Sequence, residues 1–418
     1  MLALGGLLAF SVMGYAGTLE PSAPPGPTMK TLDEVEPRVP IHALDLPLTI
    51  TEPNSYYLVE DVNFTSTATH AITINCNDVT IDLMGYTLKG PDSGTKSGIY
   101  ISGRSNVEVR NGTVRDFGQD GICEISTAAK EYRVISVRAI SNSDDGIYLA
   151  GYGHLVKDCT AAESQNTGIG CGDGCTVTGN NCYDNGLYGI DTDAGCTVTG
   201  NVVYYNQNSG IKCGAGCTVS GNTSFDNDGT GIDTGNGCTI VNNTVNDNES
   251  KGIDSGTGCT ITGCTARGNT GNGIESDGLG TIADNTADRN TAYGIWVNSG
   301  AVIARNSCSE NTLDGIYASS GNRIIENDCG GNGFGGDGAG IHTVSLRNVI
   351  EGNTVLSNDR GIDVDSTRSF IARNTAGMNT TDYAIAGNNA YGPIVNIASA
   401  GDISGTANAD HPWANFQY

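Results

Sequence analysis

Two consecutive stretches of 21 residues decide the fold: residues 189–209 read GIDTDAGCTVTGNVVYYNQNS, and residues 210–230 read GIKCGAGCTVSGNTSFDNDGT. Both begin with Gly-Ile, and both place a Gly-Cys-Thr-Val step and a Gly-Asn step at the same offsets. The Gly-Ile step recurs every 21 residues, at Ile169, Ile190, Ile211, Ile232, Ile253, Ile274, Ile295 and Ile316. A fixed period of this length is typical of a solenoid, in which each repeat forms one coil.

The series continues in both directions at longer intervals. It extends upstream to Ile147, Ile122 and Ile99, and downstream to Ile341, Ile362 and Ile385, where Ala384 replaces the glycine. Each longer interval indicates a loop insertion. The sequence therefore predicts about 14 coils of roughly 21 residues.

Each coil has room for three short strands separated by turns rich in Gly, Asn and Asp. In the coil that starts at Ile190, the pattern predicts strands over 190–193, 196–199 and 202–205. Because side chains alternate along a strand, Ile190 and Thr192 should point inward, while Asp191 and Asp193 should point outward. No helical period is visible, so the fold class is all-β.

Two columns of asparagine support this register. One turn carries Asn180, Asn201, Asn222, Asn243, Asn285, Asn306 and Asn327, with Cys159 and Cys264 in equivalent places. The next turn carries Asn185, Asn206, Asn227, Asn248, Asn269, Asn290, Asn311 and Asn332. Amides stacked on successive coils can hydrogen-bond to one another, and asparagine tolerates left-handed backbone, so we predict two structural ladders.

The repeat resembles the right-handed parallel β-helix superfamily, which includes pectate lyases, polysaccharide hydrolases and epimerases, and periplasmic NosD-like repeat proteins. The ends, residues 26–38, 54–58 and 410–416, are similar to those of a group of exported bacterial β-helix repeat proteins. The resemblance implies a single-stranded right-handed parallel β-helix with an N-terminal cap. It implies no particular reaction.

The sequence predicts four segments. Residues 1–16 read as a signal peptide, with an apolar run over 2–15 and a small-residue site that permits cleavage after Ala16, although a buried N-terminal segment is the alternative. Residues 17–48 are expected to form a Pro-rich linker and a short capping helix, because Thr31 and Glu34 fit a capping box. The β-helix is expected over 49–395 and a C-terminal cap or tail over 396–418.

The charge and the apolar content of the chain limit the classes of binding partner that we expect. The formal net charge of −25 argues against nucleic acid, whose binding needs Lys and Arg to neutralise phosphates. No apolar run beyond the N-terminus approaches the roughly 20 residues of a membrane span. We therefore expect a secreted protein, extracellular, periplasmic or on the cell surface, that acts as a monomer on an extracellular polysaccharide or a cell-surface component.

The chain has 14 cysteines. Cys175, Cys196, Cys217, Cys238 and Cys259 recur every 21 residues, and we place them on the inward side of the second strand. Their parallel Cβ directions disfavour disulfides, so small buried thiols are expected, while the pair Cys308 and Cys329 is left open as a bridge.

In the superfamily that the repeat resembles, substrates lie along the outer face of the strand that corresponds to the Gly-Ile strand here. Its first outward position reads Asp191, Lys212, Asp233, Asp254, Glu275, Trp296, Tyr317, His342 and Asp363, flanked by Asp193, Asp277, Asn298 and Asp365. Trp296, Tyr317 and Asn298 are candidate substrate-binding residues, and the candidate catalytic residues are Lys212, Asp233, Asp254, Glu275, Tyr317 and His342.

Four functions stay open for the outer faces of this β-helix. The first is a non-catalytic module that binds or presents itself to polysaccharide. The second is a Ca²⁺-dependent lyase or epimerase on uronate glycans, with Asp191, Asp193, Asp233 and Asp254 as candidate Ca²⁺ ligands and Lys212, Tyr317 or His342 as base.

The third candidate function is glycoside hydrolysis by stacked carboxylates, since Asp233 and Asp254 on adjacent coils would be about 5 Å apart. The fourth is ice binding through the outward Thr-x-Thr arrays of the second strand, although threonine is common on any exposed strand. The first-position column of that array is Thr176, Thr197, Thr218, Thr239, Thr260 and Thr281.

Overall fold

The structure is a computed structural model that describes residues 36–333, 336, 338–398 and 401–418. The chain divides into two units, Met1–Arg38 and Val39–Tyr418, and the second contains the β-helix. The predicted signal peptide over 1–16 and the capping box at Thr31 and Glu34 lie outside the described residues.

The Gly-Ile strands, together with three strands that lack this step, form one parallel sheet of 16 strands, which we call the first-strand sheet. About 14 coils was therefore too low a count, because two N-terminal strands, Leu48–Ile50 and Ile72–Ile74, lack the Gly-Ile step. The prediction that Ile385 continues the series was wrong, since Tyr383 pairs with Ile362 and Ile385 pairs with Val364. The strands are Leu48–Ile50, Ile72–Ile74, Ile99–Ile101, Ile122–Glu124, Ile147–Tyr152, Ile169–Asp173, Ile190–Thr192, Ile211–Cys213, Ile232–Thr234, Ile253–Ser255, Ile274–Gly278, Ile295–Ser299, Ile316–Ala318, Ala339–Thr343, Arg360–Val364 and Thr381–Ile385.

The second and third strands of the coils form a 32-stranded parallel sheet, joined because Val107–Arg115 and Arg133–Ile140 each span both columns. The second-strand column also contains Val39–Ile41, Ser55–Leu58, Val79–Asp82, Leu155–Lys157, Thr176–Thr178, Thr197–Thr199, Thr218–Ser220, Thr239–Val241, Thr260–Thr262, Thr281–Ala283, Val302–Ala304, Arg323–Ile325, Val349–Glu351, Phe370–Ala372 and Ala390–Tyr391. The third-strand column also contains Val62–Asn63, Thr87–Lys89, Thr160–Ala162, Asn181–Tyr183, Val202–Tyr204, Thr223–Phe225, Thr244–Asn246, Thr265–Arg267, Thr286–Asp288, Ser307–Ser309, Asp328–Gly330, Thr354–Leu356, Thr375–Gly377 and Asn415–Gln417. Ile394–Asn396 pairs with Asn415–Gln417.

The hydrophobic core is a set of columns inside the coils. Ile190 and Val198 are fully buried, and each pairs in register with an apolar residue of the next coil. The predicted alternation is confirmed in this coil, where Ile190 and Thr192 are buried, Asp191 is half-buried and Asp193 is exposed. Each strand is one residue shorter than predicted, since Asp193, Cys196 and Tyr205 belong to turns.

Both asparagine ladders are present. The Asn180 backbone N–H and side-chain Nδ2 each donate to Asn201 Oδ1 at 2.9 Å, and Nδ2 also donates to the Val156 carbonyl. The backbone at the ladder differs from the prediction, because the left-handed residue is the one before each asparagine. Gly200 (φ 65°) precedes Asn201, and Tyr205 (φ 55°) precedes Asn206.

The cysteine column forms a third ladder. The Cys175 N–H donates to Cys196 Sγ at 3.2 Å, and the Cys238 N–H donates to Cys259 Sγ at 3.3 Å. We predicted these cysteines on the second strand, but they lie in the turn before it. In a later coil, Asn322 occupies the same ladder position. All 14 cysteines are free, so buried thiols are confirmed and the Cys308–Cys329 bridge is not formed.

The two ends carry short additions. Val39–Ile41 pairs with the next coil and is followed by the 3-10 helix Ala43–Asp45, both within the segment predicted as linker and cap. Near the C-terminus, the 3-10 helix Ile403–Gly405 precedes Asn415–Gln417, which pairs with Thr375–Gly377. Within the described residues, no helix is long and apolar enough to cross a membrane.

Candidate functional site

The outward residues of the first-strand sheet form one continuous column. Strand pairing places Asp191, Lys212, Asp233, Asp254, Glu275, Trp296, Tyr317, His342 and Asp363 next to one another in that order. Since neighbouring strands are about 4.8 Å apart, side chains on adjacent coils of this column are within contact distance. We call this column and its flanking residues the first-strand face.

A second row of side chains contributes to the face, and sequence analysis missed it. Its members lie three residues before an outward residue of the column, directly before the Gly-Ile step. They are Tyr188, Lys251, Asn272, Tyr293, Asp314 and Arg360. The fixed spacing was the available signal, but only the structure shows that these side chains contact the column.

Lys212 is held by its neighbours on the face. Its Nζ donates to the Tyr188 hydroxyl at 3.4 Å, lies 4.5 Å from the centre of the Tyr188 ring and is 3.9 Å from Asp191 Oδ2. Burial acts to lower the pKa of Lys212, but the Asp191 carboxylate and the Tyr188 hydroxyl outweigh it and raise the pKa. The amine is therefore protonated at neutral pH.

Lys251 connects two of the predicted catalytic acids. Its Nζ is 2.8 Å from both Asp254 Oδ2 and Glu275 Oε1, and Asn272 Nδ2 donates to Glu275 Oε2 at 2.6 Å. Asp233 lies on the adjacent coil, and burial, followed by the charge of Asp254, raises its pKa. The carboxylates are stacked as expected, and Lys251 forms ion pairs with two of them, Asp254 and Glu275.

An aromatic cluster of Tyr293, Trp296 and Tyr317 follows the acidic part of the face. The ring centres of Tyr293 and Tyr317 are 4.8 Å apart, and those of Trp296 and Tyr317 are 6.3 Å apart with nearly parallel planes. The His342 ring meets Tyr317 edge to face at 5.4 Å. Asn298, the third predicted substrate-binding residue, is exposed on the Trp296 strand.

His342 is surrounded by carboxylates. Its Nδ1 is 3.0 Å from Asp314 Oδ2, and its Nε2 is 3.1 Å from Asp365 Oδ2 and 4.0 Å from Asp363 Oδ2. Burial acts to lower the pKa of His342, but hydrogen bonds and charge from Asp314 and Asp365 outweigh it and raise the pKa to about 9. The imidazole is therefore protonated at neutral pH and is a poor base there.

Two clefts open on the face. One, of about 440 Å³, is lined by Tyr293, Leu313, Asp314, His342, Arg360 and Asp365. The other, of about 270 Å³, lies near the N-terminal end, between Tyr148 and Tyr152 on one side and Asp173, Asp191 and Asp193 on the other. Gly170 lines this second cleft, and a Cβ there would lie 2.9 Å from the Tyr148 ring.

The predicted Ca²⁺ ligands Asp191, Asp193, Asp233 and Asp254 do not come together as one ligand group. Among the described residues, two groups of three side chains place their ligand atoms within 4.8 Å of one another. One is His342, Asp363 and Asp365, and the other is Asp120, Asp144 and Asp145. The first group shares only His342 with the predicted functional residues.

The threonine array lies on a separate outer face. The outward threonines of the second strand pair in register from Thr176 to Thr281, and Thr197, Thr218, Thr239 and Thr260 are exposed. The neighbouring column is interrupted by Val241 and Ala283. Ice binding by this array stays a prediction.

The chain belongs to the right-handed β-helix family. The family model described as "Right handed beta helix region" matches residues 50–195, 97–245, 146–280, 192–308 and 275–402, which together cover most of the chain. No curated protein matches the sequence.

Solved structures with a similar fold include carbohydrate-active enzymes. A point mutant of the periplasmic alginate epimerase AlgG is 14% identical, with a TM-score of 0.43 and coverage of 75% of this chain and 85% of that chain. The A-module of the Azotobacter vinelandii mannuronan C-5 epimerase AlgE6 is 15% identical, with a TM-score of 0.37 and coverage of 82% and 91%. Pectate lyase Pel9A is 14% identical, with a TM-score of 0.34 and coverage of 63% and 70%. These likenesses concern the fold alone.

Proposed function

We propose that this protein is an exported polysaccharide-binding β-helix whose first-strand face holds a glycan chain. The observation that carries the proposal is the cluster of Tyr293, Trp296 and Tyr317, placed in line with charged and amide side chains on a continuous face. Aromatic rings provide apolar contact area for sugar rings, while carboxylates, amides and amines can hydrogen-bond to hydroxyl groups.

The long, regular face suits a polymer better than a small molecule. The column from Asp191 to Asp363 crosses nine consecutive coils, which at about 4.8 Å per coil spans roughly 40 Å. The cleft beside Tyr148 and the cleft beside His342 lie toward its two ends. A linear glycan lying along the face could contact both clefts and the aromatic cluster together.

Binding without reaction fits the charges of the site better than catalysis does. A lyase or epimerase needs a base to abstract a proton from the sugar, but Lys212 and His342 are both held protonated at neutral pH. A hydrolase needs a free acid and a free carboxylate, but Asp254, the predicted partner of Asp233, forms an ion pair with Lys251, as does Glu275. Neither alternative is favoured by a specific observation.

A glycan-binding screen tests the proposal. The full mature chain is applied to neutral and acidic polysaccharides, with and without chelator, and Trp296→Ala is expected to weaken binding to the bound glycan at least 10-fold. Tyr204→Ala is the matched control, because Tyr204 belongs to an aromatic stack with Tyr183 and Phe225 on the third strand. Equal losses in both variants, or no binding across the panel, would contradict the proposal.

The same samples distinguish binding from catalysis. Rising ultraviolet absorbance from unsaturated sugar ends would indicate a lyase, and a rise in reducing ends without that absorbance would indicate a hydrolase. We expect neither at neutral pH. Export is part of the proposal, and N-terminal sequencing of the protein recovered outside the cytoplasm should show that the chain begins after Ala16.

A further inference from the structure

We propose that His342, Asp363 and Asp365 bind a divalent transition-metal ion, such as Zn²⁺, with Asp314 as the residue that orients the imidazole. The three ligand side chains come from two adjacent strands, Ala339–Thr343 and Arg360–Val364, and from the turn that follows the second strand. The inference does not depend on glycan binding.

The distances between the ligand atoms fit a single ion. Zn²⁺ binds nitrogen and oxygen ligands at about 2.0 to 2.2 Å, so tetrahedral ligands lie roughly 3.4 Å from one another. His342 Nε2 is 3.1 Å from Asp365 Oδ2 and 4.0 Å from Asp363 Oδ2, which brackets that separation. Small side-chain adjustments would place all three atoms around one ion.

Asp314 fixes the orientation of the imidazole, so that Nε2 faces the other two carboxylates. It is only 4% exposed, and its Oδ1 accepts a hydrogen bond from the Ala339 N–H, which fixes the carboxylate. Its Oδ2 lies 3.0 Å from His342 Nδ1. A carboxylate at one ring nitrogen is the usual way in which proteins fix the tautomer and orientation of a metal-binding histidine, with the other nitrogen facing the ion.

The charges around His342 also favour a cation. Three carboxylates surround the imidazole, and Arg360 Nη1 contacts that of Asp363 at 2.5 Å. Even with a protonated imidazole, this group keeps an excess negative charge. A divalent ion that displaces the imidazole proton would neutralise this excess charge.

The ligand set indicates the type of ion. One imidazole and two carboxylates match Zn²⁺ and related transition metals, whereas Ca²⁺ and Mg²⁺ prefer all-oxygen ligands. Three protein ligands leave one coordination position for water or another ligand. The cleft lined by Tyr293 and Leu313 opens beside the site and gives access to that position.

Zinc titration of the metal-free full chain against a chromophoric chelator tests the inference. We expect one Zn²⁺ per chain, and Ca²⁺ at 100-fold excess should not displace it. His342→Gln should weaken binding at least 100-fold, and Asp314→Asn should weaken it about 10- to 100-fold, the range typical for residues that orient ligands. His411→Ala, which removes an exposed histidine near the C-terminus, should bind like the wild type.

Thermal unfolding controls for folding of the variants. Zn²⁺ should raise the unfolding temperature of the wild type and leave that of His342→Gln unchanged. Should His342→Gln fail to fold, Asp365→Asn replaces it. Asp365 has 55% of its side chain exposed, so this substitution should not disturb folding. The Asp365→Asn variant should bind Zn²⁺ at least 10-fold more weakly than the wild type. Absence of a one-to-one complex, or equal binding by these variants and the wild type, would overturn the inference.

Discussion

At the scale of single residues, three buried carboxyl groups, those of Asp120, Asp145 and Asp314, lie directly before a Gly-Ile step. Asp145 is 8% exposed and lies beside Asp120, while its Oδ1 accepts a hydrogen bond from the Thr167 N–H. Burial, together with the negative charges of Asp120, Asp144 and Asp191, raises the pKa of Asp145 to about 7 despite that hydrogen bond. The turn thus favours the neutral form of this carboxyl.

This raised pKa predicts a specific dependence of stability on pH. A carboxyl whose pKa is higher in the folded than in the unfolded chain stabilises the fold at low pH, and that contribution is lost as pH rises toward 7. Asp145→Asn keeps an acceptor for Thr167 and removes the charge, so the wild type should lose roughly 2 to 3 kcal/mol more than the variant between pH 5 and pH 8.

Denaturant unfolding at both pH values measures this difference. Asp277→Asn, on an exposed residue of the first-strand face, is the control and should follow the wild type. Parallel pH profiles for Asp145→Asn and the wild type would show that Asp145 is ionised in the folded protein at neutral pH.

At the scale of structural elements, the ladders are what connects one coil to the next. The first asparagine ladder has one weak step, where Asn243 Nδ2 meets Cys264 Sγ at 3.8 Å. The following amide contact, from Asn285 Nδ2 to Asn306 Oδ1, is 3.0 Å. Cys264 therefore interrupts a row of amide hydrogen bonds without changing the backbone around it, since its own N–H still donates to Asn285 Oδ1.

Cys264→Asn should restore the row and stabilise the protein. The new amide oxygen would accept from Asn243, and the new amide nitrogen would donate to Asn285, for a gain of about 1 to 2 kcal/mol in the free energy of unfolding. Cys182→Asn is the matched control, because Cys182 is fully buried in the core outside the ladders, where an amide lacks partners and should cost about 2 kcal/mol. Thermal unfolding of the two variants decides the point, and changes of the same sign would refute the ladder argument.

Some strands and ladders could be predicted from the sequence and others could not, and the difference has physical reasons. The Ile190 and Asn201 columns follow from the period alone, because a buried position or a turn repeats its residue type in every coil. Leu48–Ile50 and Ile72–Ile74 were missed because Pro47 and Ala71 replace the glycine that marked the other strands. The cysteine column was found but placed on the strand, since a thiol that accepts a backbone hydrogen bond resembles a core thiol in sequence.

The candidate site was only partly predictable. The column from Asp191 to Asp363 follows from strand alternation, and the structure places every member as expected. The partners Lys251 and Asp314 were missed because they lie in turns and reach across to neighbouring coils. Period and alternation determine which strand face a residue occupies, but not which side chains from the turns approach it.

At the scale of the whole molecule, the equivalence of the coils predicts that one can be removed. In a solenoid each coil contacts only its neighbours, so stability is approximately a sum of coil and interface contributions. Deleting residues 232–252 joins Gly231 to Ile253. In the native chain Ile211 pairs with Ile232, and in the shortened chain it would pair with Ile253 instead. Both asparagine ladders keep their register, because one full period is removed.

The shortened chain should fold with the same β-sheet circular dichroism, remain resistant to proteolysis and unfold at a somewhat lower temperature. Deleting residues 232–241 is the control, because it removes about half a coil, shifts the ladders out of register and places inward residues on the outside. It should aggregate or be degraded. Equal failure of both deletions would mean that the fold depends on long-range contacts beyond neighbouring coils, whereas survival of the full-coil deletion alone would establish the 21-residue coil as the unit of stability.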